Sequence, residues 1–141
     1  MEITNLEDCF KFRLLRYIKP DKEKTKRSIE VSKQRLNEAE MAFKFKIFKY
    51  VILESYMAMF HSARALLYKE GIQEKSHFAL FIYLKEKYSN KIPLHILNLL
   101  NIHRLERHES LYGLDYQPSE GDALISIKDA KDFIKEIAKY I

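Results

Sequence analysis

Residues that break regular structure are scarce in this chain: it has three glycines and three prolines in 141 residues. All-β sandwiches need many tight turns, and phosphate-binding loops need clustered glycines. The chain has too few glycines and prolines for either. The chain is nevertheless 47% hydrophobic and 32% charged, the balance of a packed globular protein and not of a disordered one. The composition therefore favours a helical fold.

Chain length and cysteine content indicate the number of domains and the cellular compartment. A chain of 141 residues has room for one domain of ordinary size, so we expect a single helical domain over residues 1–141. Cys9 is the one cysteine, which excludes an internal disulfide and fits a reducing cytoplasm. The N-terminus lacks the charge order of a secretory signal, and the apolar runs are too short to span a membrane. We therefore expect a cytoplasmic protein without membrane attachment.

The spacing of apolar residues predicts six helices and no strand. The first is short: it begins at the capping-box sequence Thr4–Glu7 and continues through apolar residues four apart until Pro20. The other predicted helices cover 22–45, 47–69, 75–88, 93–112 and 122–140. Four of them are long and have short connections, so the predicted fold class is all-α, an up-and-down four-helix bundle with additional short helices. The first helix and 75–88 are expected outside the bundle or at one end.

Positive charge is concentrated in the first third of the chain. Residues 11–49 contain 13 Lys/Arg and 5 Asp/Glu, whereas the whole chain has a net charge of +5. Such a segment is typical of proteins that bind the phosphates of RNA or DNA. A lysine-rich helix face that is simply solvated has the same pattern, and the sequence does not separate the two interpretations.

The apolar helix 47–69 contains one polar set. Glu54, His61 and Arg64 are seven and three residues apart, a spacing that places all three along one stripe of a helix. This stripe is a candidate ligand-binding cleft. Pairing of the two charged residues with neighbouring helices is the alternative explanation.

A second polar set ends the helix that Pro93 opens. Its inward stripe, which includes Ile96, Leu99 and Leu100, is predicted to continue through His103 to Arg107 and Ser110. Arg107 offers a planar fork of donors for a phosphate, and His108 and Tyr112 can transfer or orient protons. These three residues are the catalytic candidates, although cations near a helix C-terminus are also favoured by the helix dipole.

No metal or cofactor is expected. The chain has no glycine-rich dinucleotide or phosphate loop, no zinc-protease motif and no serine-hydrolase elbow. His103 and His108 are five residues apart and lie on different faces of a helix, which argues against a zinc pair.

Two segments resemble a known family. Tyr56–Tyr68 (YMAMFHSARALLY), followed by Gly71 and Lys75-Ser76-His77, resembles a group of prokaryotic HEPN domains, the higher eukaryotes and prokaryotes nucleotide-binding family. The segment 107–113 (RHESLYG) is similar to the Arg-x4-Tyr variant of that family's second motif. Together with the C-terminal helix, the resemblance covers roughly residues 29–141.

The resemblance implies a helical bundle that dimerises and acts beside a small nucleotidyltransferase, in a toxin–antitoxin-like pair. Many relatives are RNA-cleaving toxins that use an Arg and a downstream His from both subunits, without a metal ion. Here Arg107 matches the Arg, but Tyr112 stands where the His is expected. His108 is adjacent to Arg107, and neighbouring residues on a helix point about 100° apart.

Three functions therefore stay open. The first is a HEPN partner protein that binds a nucleotide, RNA or a nucleotidyltransferase, and the second is a metal-independent endoribonuclease toxin that uses Arg107. The third is a structural helical bundle whose basic face binds RNA loosely. The absent His disfavours the second, while Arg107 and the stripe on helix 47–69 place the first two above the third.

Overall fold

The structure, a computed structural model, describes residues 2–141 and is built mainly from helices. Four of the six helices are long, and one pair of three-residue strands joins two connections. In chain order the elements are α1 (Leu6–Lys11), β1 (Leu15–Tyr17), α2 (Lys22–Lys44), α3 (Phe48–Glu70), β2 (Ile72–Glu74), α4 (His77–Tyr88), α5 (Leu94–Tyr112) and α6 (Glu120–Ala138). The fold is all-α, as the sequence predicts.

The first helix is shorter than predicted. Asn5, not Thr4, caps α1, because its side chain accepts a hydrogen bond from the N–H of Asp8 at 2.8 Å. Arg13 then adopts a left-handed backbone conformation with φ of 58°, which ends the helical path. The prediction that the helix continues to Pro20 is therefore wrong.

The residues that were predicted to continue the first helix toward Pro20 instead form one strand of a small antiparallel sheet. In its register Leu15 is opposite Glu74, and Arg16 is opposite Gln73. The expectation that the chain contains no strand is thus also wrong. Three residues are too few for alternation to show in a sequence, and the two strands are far apart along the chain.

Helix α3 is the centre of the bundle and packs against α2, α5 and α6. It ends at Gly71, whose φ of 78° lies in the left-handed region. A Cβ at Gly71 would lie 2.7 Å from the carbonyl oxygen of Ile18 and 3.1 Å from Pro20, so only glycine fits this turn. Ile18 donates back to the Gly71 carbonyl at 2.9 Å, which attaches the N-terminal segment to the end of α3.

The core has one large apolar cluster and a smaller one. The large cluster joins α3, α4, α5 and α6, with Tyr56, Leu66 and Phe133 among its fully buried side chains. The smaller one lies around Ala39 and Val51, where α2, α3 and α6 meet. Within residues 2–141, no helix combines the length and apolar character needed to cross a membrane.

A buried histidine connects α5 to α6. Nε2 of His103 lies 2.8 Å from a carboxylate oxygen of Asp129 on α6, and Nδ1 lies 3.3 Å from Glu106. Burial alone would lower the pKa of His103, but the neighbouring carboxylates, Glu106 at ion-pair distance and Asp129 as a hydrogen-bond partner, outweigh burial and raise this pKa above its usual value. The two carboxylates therefore favour the charged form of the imidazole.

This arrangement predicts that stability depends on pH. Because folding raises the pKa of His103, its stabilisation is present below the unfolded pKa and is lost as the pH rises through the folded pKa. Asp129→Asn is expected to lower the free energy of unfolding by about 1–3 kcal/mol near pH 6, and by less near pH 9. Thermal unfolding across this range tests the prediction. A deficit in Asp129→Asn that is independent of pH would contradict it.

Candidate functional site

Arg107 lies on the face of α5 that is directed at α3. Its guanidinium carbon is 5.8 Å from the centre of the Tyr56 ring, within the range of a cation–π contact. The Nε–H of Arg107 is buried and has no hydrogen-bond acceptor among residues 2–141. A buried donor without a partner costs stability unless water or a ligand accepts from it. Arg107 as a whole is only half-buried, so a ligand would approach the guanidinium through its less buried nitrogens.

Tyr56 connects Arg107 to a histidine from another helix. The Tyr56 hydroxyl is 2.8 Å from Nδ1 of His77, the first residue of α4. The His77 ring stacks on Phe60, with ring centres 4.1 Å apart and planes inclined by 11°. Tyr56 and Phe60 are one turn apart on α3, so both fix the position of the half-buried imidazole.

The hydrogen bond from Tyr56 decides which nitrogen of His77 carries the proton. Tyr56 is fully buried, and Nδ1 of His77 is the one side-chain partner of its hydroxyl in the described chain. Donation to Nδ1 is the direction that leaves no buried hydroxyl hydrogen without an acceptor. A neutral imidazole that accepts at Nδ1 carries its hydrogen on Nε2. Burial, followed by the charges of nearby arginines, lowers the pKa of His77 to about 4. The ring is therefore neutral near pH 7 and presents Nε2–H as a donor.

Arg104 adds a second cation one turn before Arg107. Its guanidinium carbon lies 5.0 Å from the centre of the Phe78 ring, and its Nε–H donates to Asn101. Across residues 2–141, neither arginine has a carboxylate within ion-pair distance. We refer to the resulting group as the Arg107 cluster, which consists of Tyr56, Phe60, His77, Arg104 and Arg107. Its three half-buried members, His77, Arg104 and Arg107, form a positive patch rich in donors beside the buried rings of Tyr56 and Phe60, which suits an anion.

His108 and Tyr112 lie on a neighbouring face of α5. Both are exposed, and their ring centres are 4.9 Å apart, one helical turn from each other. The structure thus places Arg107 toward α3 and brings His108 together with Tyr112. Tyr56 contacts both His77 and Arg107. Among the described residues, His77 and not His108 is therefore the imidazole connected to Arg107.

The predicted stripe on α3 faces α2. Both carboxylate oxygens of Glu54 accept a hydrogen bond from the same nitrogen of Arg35, each at 3.1 Å. His61 lies farther along, beside Lys24 and Arg27 of α2. Burial, and then the charges of nearby arginines, lowers the pKa of His61 to about 4. The carboxylate of Glu54 is therefore matched within the fold, while His61 lies in a cationic groove.

Arg64 is held by an ion pair. Its Nε lies 2.6 Å from a carboxylate oxygen of Glu74 on β2, and the Glu74 side chain is only 3% exposed. The Arg64 guanidinium also contacts the faces of Phe60 and Tyr68 at 5.5 Å. Arg64 therefore connects the Arg107 cluster, through Phe60, to the small sheet.

Comparison with known proteins identifies the family. The HEPN domain model matches residues 25–140. The chain belongs to the HEPN family. A protein of Methanocaldococcus jannaschii named "Putative toxin MJ0605" is similar to it, with 29% identity over 120 residues that cover 79% of this chain and 84% of the relative.

Of the five members of the Arg107 cluster, Arg107 alone is among the site residues predicted from the sequence. Tyr56, Phe60 and His77 lie in the segments that resemble the family but were given no role there, and Arg104 lies outside those segments. Arg104 had a detectable signal, because it precedes Arg107 by three residues and therefore lies on the same helix face. His77 had none in the helix periodicity: it follows the capping residue Ser76, and its contact with Tyr56 joins residues 21 positions apart. The α5 stripe was also shifted, since Leu97 and not Ile96 or Leu99 is fully buried.

Proposed function

We propose that this HEPN protein binds single-stranded RNA at the Arg107 cluster and acts in a toxin–antitoxin-like pair with a small nucleotidyltransferase. Family membership and the similarity to a relative named as a toxin support a toxin-like HEPN protein. The partner enzyme is inferred from the family resemblance. A nucleotidyltransferase reading frame beside the gene is the simplest observation that would support it.

The observation that carries the proposal is the unmatched guanidinium of Arg107. Its buried Nε–H lacks an acceptor in the described residues, and His77 lies close enough to Arg107 and Arg104 for their charges to add to the effect of burial in lowering its pKa. Phosphate oxygens accept hydrogen bonds from such donors and neutralise two arginines at once.

A route for the rest of an RNA strand leads from the cluster to the basic segment. Arg107 of α5 contacts the Tyr56 ring, and Arg64 of α3 contacts the Phe60 and Tyr68 rings. These rings are buried, so the guanidinium groups, and not the rings, would meet the strand through its phosphates. Lys24 of α2 then lies 5.5 Å from the centre of the Tyr68 ring. Most other cations of α2 are exposed, so contacts to RNA phosphates can continue along it.

Binding is therefore expected to depend strongly on salt and weakly on sequence. Each phosphate contact releases a counterion, so four to six contacts lower the affinity about 50- to 340-fold between 50 and 200 mM salt for a single strand. Titration of a labelled single-stranded RNA into the purified protein at these two salt concentrations, with chelator present, measures the effect. Binding that is unaffected by salt, or absent at low salt, would contradict the proposal.

A metal-independent ribonuclease is the second candidate, because Arg107 can stabilise a phosphorane. Cleavage also needs a base for the 2′-hydroxyl and an acid for the leaving oxygen. His77 accepts from Tyr56 at Nδ1 and offers only a donor at Nε2, so it is not the base. His108 is the available proton carrier, and Tyr112 an available hydrogen-bond donor.

We therefore expect the same incubation in chelator to show RNA that is bound but scarcely cut. Any residual cleavage should be lost in Arg107→Ala. Fast cleavage that survives His108→Ala would instead favour the ribonuclease, with Tyr112 or another residue as the proton carrier. Expression in a bacterial host with and without Arg107→Ala, followed by growth and RNA integrity, extends the test to toxicity.

We also propose that the protein is a homodimer that brings two Arg107 side chains toward one cleft. Large apolar side chains are exposed along the second half of α5 and just after it: Ile102, Leu105, Leu111, Tyr112 and Leu114. Leu114 is 98% exposed. An apolar surface beside the cluster is what a second copy of the chain would cover.

Light scattering at tens of micromolar is expected to give twice the mass of the 16.9 kDa chain. Leu114→Glu should weaken the dimer at least tenfold, because it places a charge in the interface. Leu94→Glu is the matched control, since Leu94 is an exposed leucine at the opposite end of α5. If the unmodified protein has the mass of a monomer, the proposed cleft shared by two Arg107 side chains is ruled out.

A further inference from the structure

A large pocket lies on the small sheet, outside the helical bundle. It has a volume of about 790 Å³ and is formed where the N-terminal segment meets β2, with Phe10, Arg13, Arg16, Tyr17, Glu74 and Lys75 in its lining. Phe10 to Tyr17 precede residues 25–140, which match the HEPN domain. We refer to it as the sheet pocket. Its volume is within the range of sites for small ligands.

One wall of the sheet pocket is an aromatic platform. The rings of Phe10 and Tyr17 are stacked, with centres 4.6 Å apart and planes inclined by 14°. Tyr17 is 77% exposed, so one face of its ring rests on Phe10 and the other is open. An exposed ring that is already held on one face loses little freedom when a flat group stacks on the other.

The pocket also contains three cations without acidic partners. Arg13, Arg16 and Lys75 are exposed, and none of them has a carboxylate within ion-pair distance among residues 2–141. The N–H of Lys75 donates to the Leu14 carbonyl at 2.8 Å, which places Lys75 beside the Arg13 turn. The three charges therefore converge from two segments of the chain.

The acidic residue in the lining does not oppose an anion. Glu74 is buried, and its carboxylate is matched by Arg64 at 2.6 Å. The Arg13 backbone, with φ of 58°, has a conformation that costs energy for a residue other than glycine. The chain thus holds an arginine in an unfavourable turn at the edge of a pocket whose net charge is positive.

We propose that the sheet pocket binds a nucleotide unit, with its base stacked on Tyr17 and its phosphate bound by Arg13, Arg16 and Lys75. A stacking face and a group of cations within one pocket match the two chemical parts of a nucleotide. Inorganic phosphate alone would leave the ring unused, and a nucleoside alone would leave the charges unmatched. The nucleotide comes from one of two sources, a free nucleotide or one residue of an RNA strand. The second source extends the proposed RNA binding, whereas the first is independent of it.

Calorimetric titration of the full chain with adenosine monophosphate, adenosine, inorganic phosphate and a short single-stranded RNA tests the proposal. Adenosine monophosphate is expected to bind more tightly than adenosine or phosphate. Tyr17→Ala should weaken its binding at least fivefold, as expected for loss of one stacked base. Tyr17→Phe should retain the affinity because the ring remains.

Arg16→Glu gives a second measure that leaves the Phe10–Tyr17 stack intact, and it should weaken binding at least tenfold. Tyr50→Ala is the matched control, since Tyr50 is an exposed tyrosine on α3. Loss of monophosphate binding in Tyr17→Ala and Arg16→Glu with RNA binding retained would separate this site from the Arg107 cluster. If only RNA binds, and Tyr17→Ala weakens it, the source is an RNA residue. The proposal would be overturned if neither ligand binds, or if Tyr17→Ala and Arg16→Glu bind with the same affinity as the unmodified protein.

Discussion

Arg64→Ala is expected to destabilise the protein by about 3 kcal/mol, the lower end of the range for a broken buried ion pair. The substitution leaves the Glu74 carboxylate, with 3% of its side chain exposed, without its cation. It also removes the guanidinium that covers Phe60 and Tyr68. Urea unfolding at neutral pH measures the loss.

Glu74→Gln provides the control for this prediction, because it removes the charge and retains the shape. The double variant Arg64→Ala/Glu74→Gln should be more stable than Arg64→Ala alone, since no buried charge is then unmatched. Burial already raises the pKa of Glu74, and Arg64 opposes this rise. Without Arg64 the folded pKa rises further, so the deficit of Arg64→Ala should shrink as the pH falls and the carboxylate is protonated. A deficit that stays constant with pH would contradict the explanation.

Arg107→Ala is expected to weaken binding of single-stranded RNA by about 10- to 100-fold, the range for hydrogen bonds that involve a charged group. The substitution removes the donor that has no acceptor within the described chain. The salt dependence should also become less steep, because at least one phosphate contact is lost. Fluorescence anisotropy with a labelled RNA measures both quantities.

Two further variants show whether the effect belongs to the guanidinium. Lys135→Ala removes one positive charge from the exposed face of α6 and should change the affinity by less than about threefold. Arg107→Lys keeps the charge but loses the planar fork, so its affinity should lie between those of the unmodified protein and Arg107→Ala. Equal losses in Lys135→Ala and Arg107→Ala would attribute binding to total charge alone.

The sequence was sufficient for the helices because each long one repeats its apolar residues at helical spacing. Ser76 and Gly71 also carried clear signals, since a capping serine and a left-handed glycine have defined places at helix ends. In the N-terminal segment, the same helical spacing of apolar residues led to a wrong prediction. Phe10, Leu14 and Ile18 have helical spacing, but Arg13 turns the chain, and hydrogen bonds to the end of α3 take Ile18 into an extended path.

The candidate site was predictable only where its residues share a helix. The sequence singled out Arg107 and Arg64, each by its position on a polar stripe. The contact between Tyr56 and His77 joins α3 to the start of α4, and the sheet pocket joins residues near 15 to residues near 74. Such pairings depend on how the helices pack, which spacing within one helix does not encode.

The central claim is that RNA binds at the Arg107 cluster, and nitrogen NMR of the histidine side chains tests it most directly. In the free protein His77 should show an unprotonated Nδ1 and a protonated Nε2 near pH 7, as its hydrogen bond from Tyr56 and its lowered pKa require. Addition of single-stranded RNA should shift the His77 Nε2–H and the Arg107 Nε–H signals. Shifts confined to the lysines and arginines of residues 11–49, with His77 and Arg107 unchanged, would contradict the account.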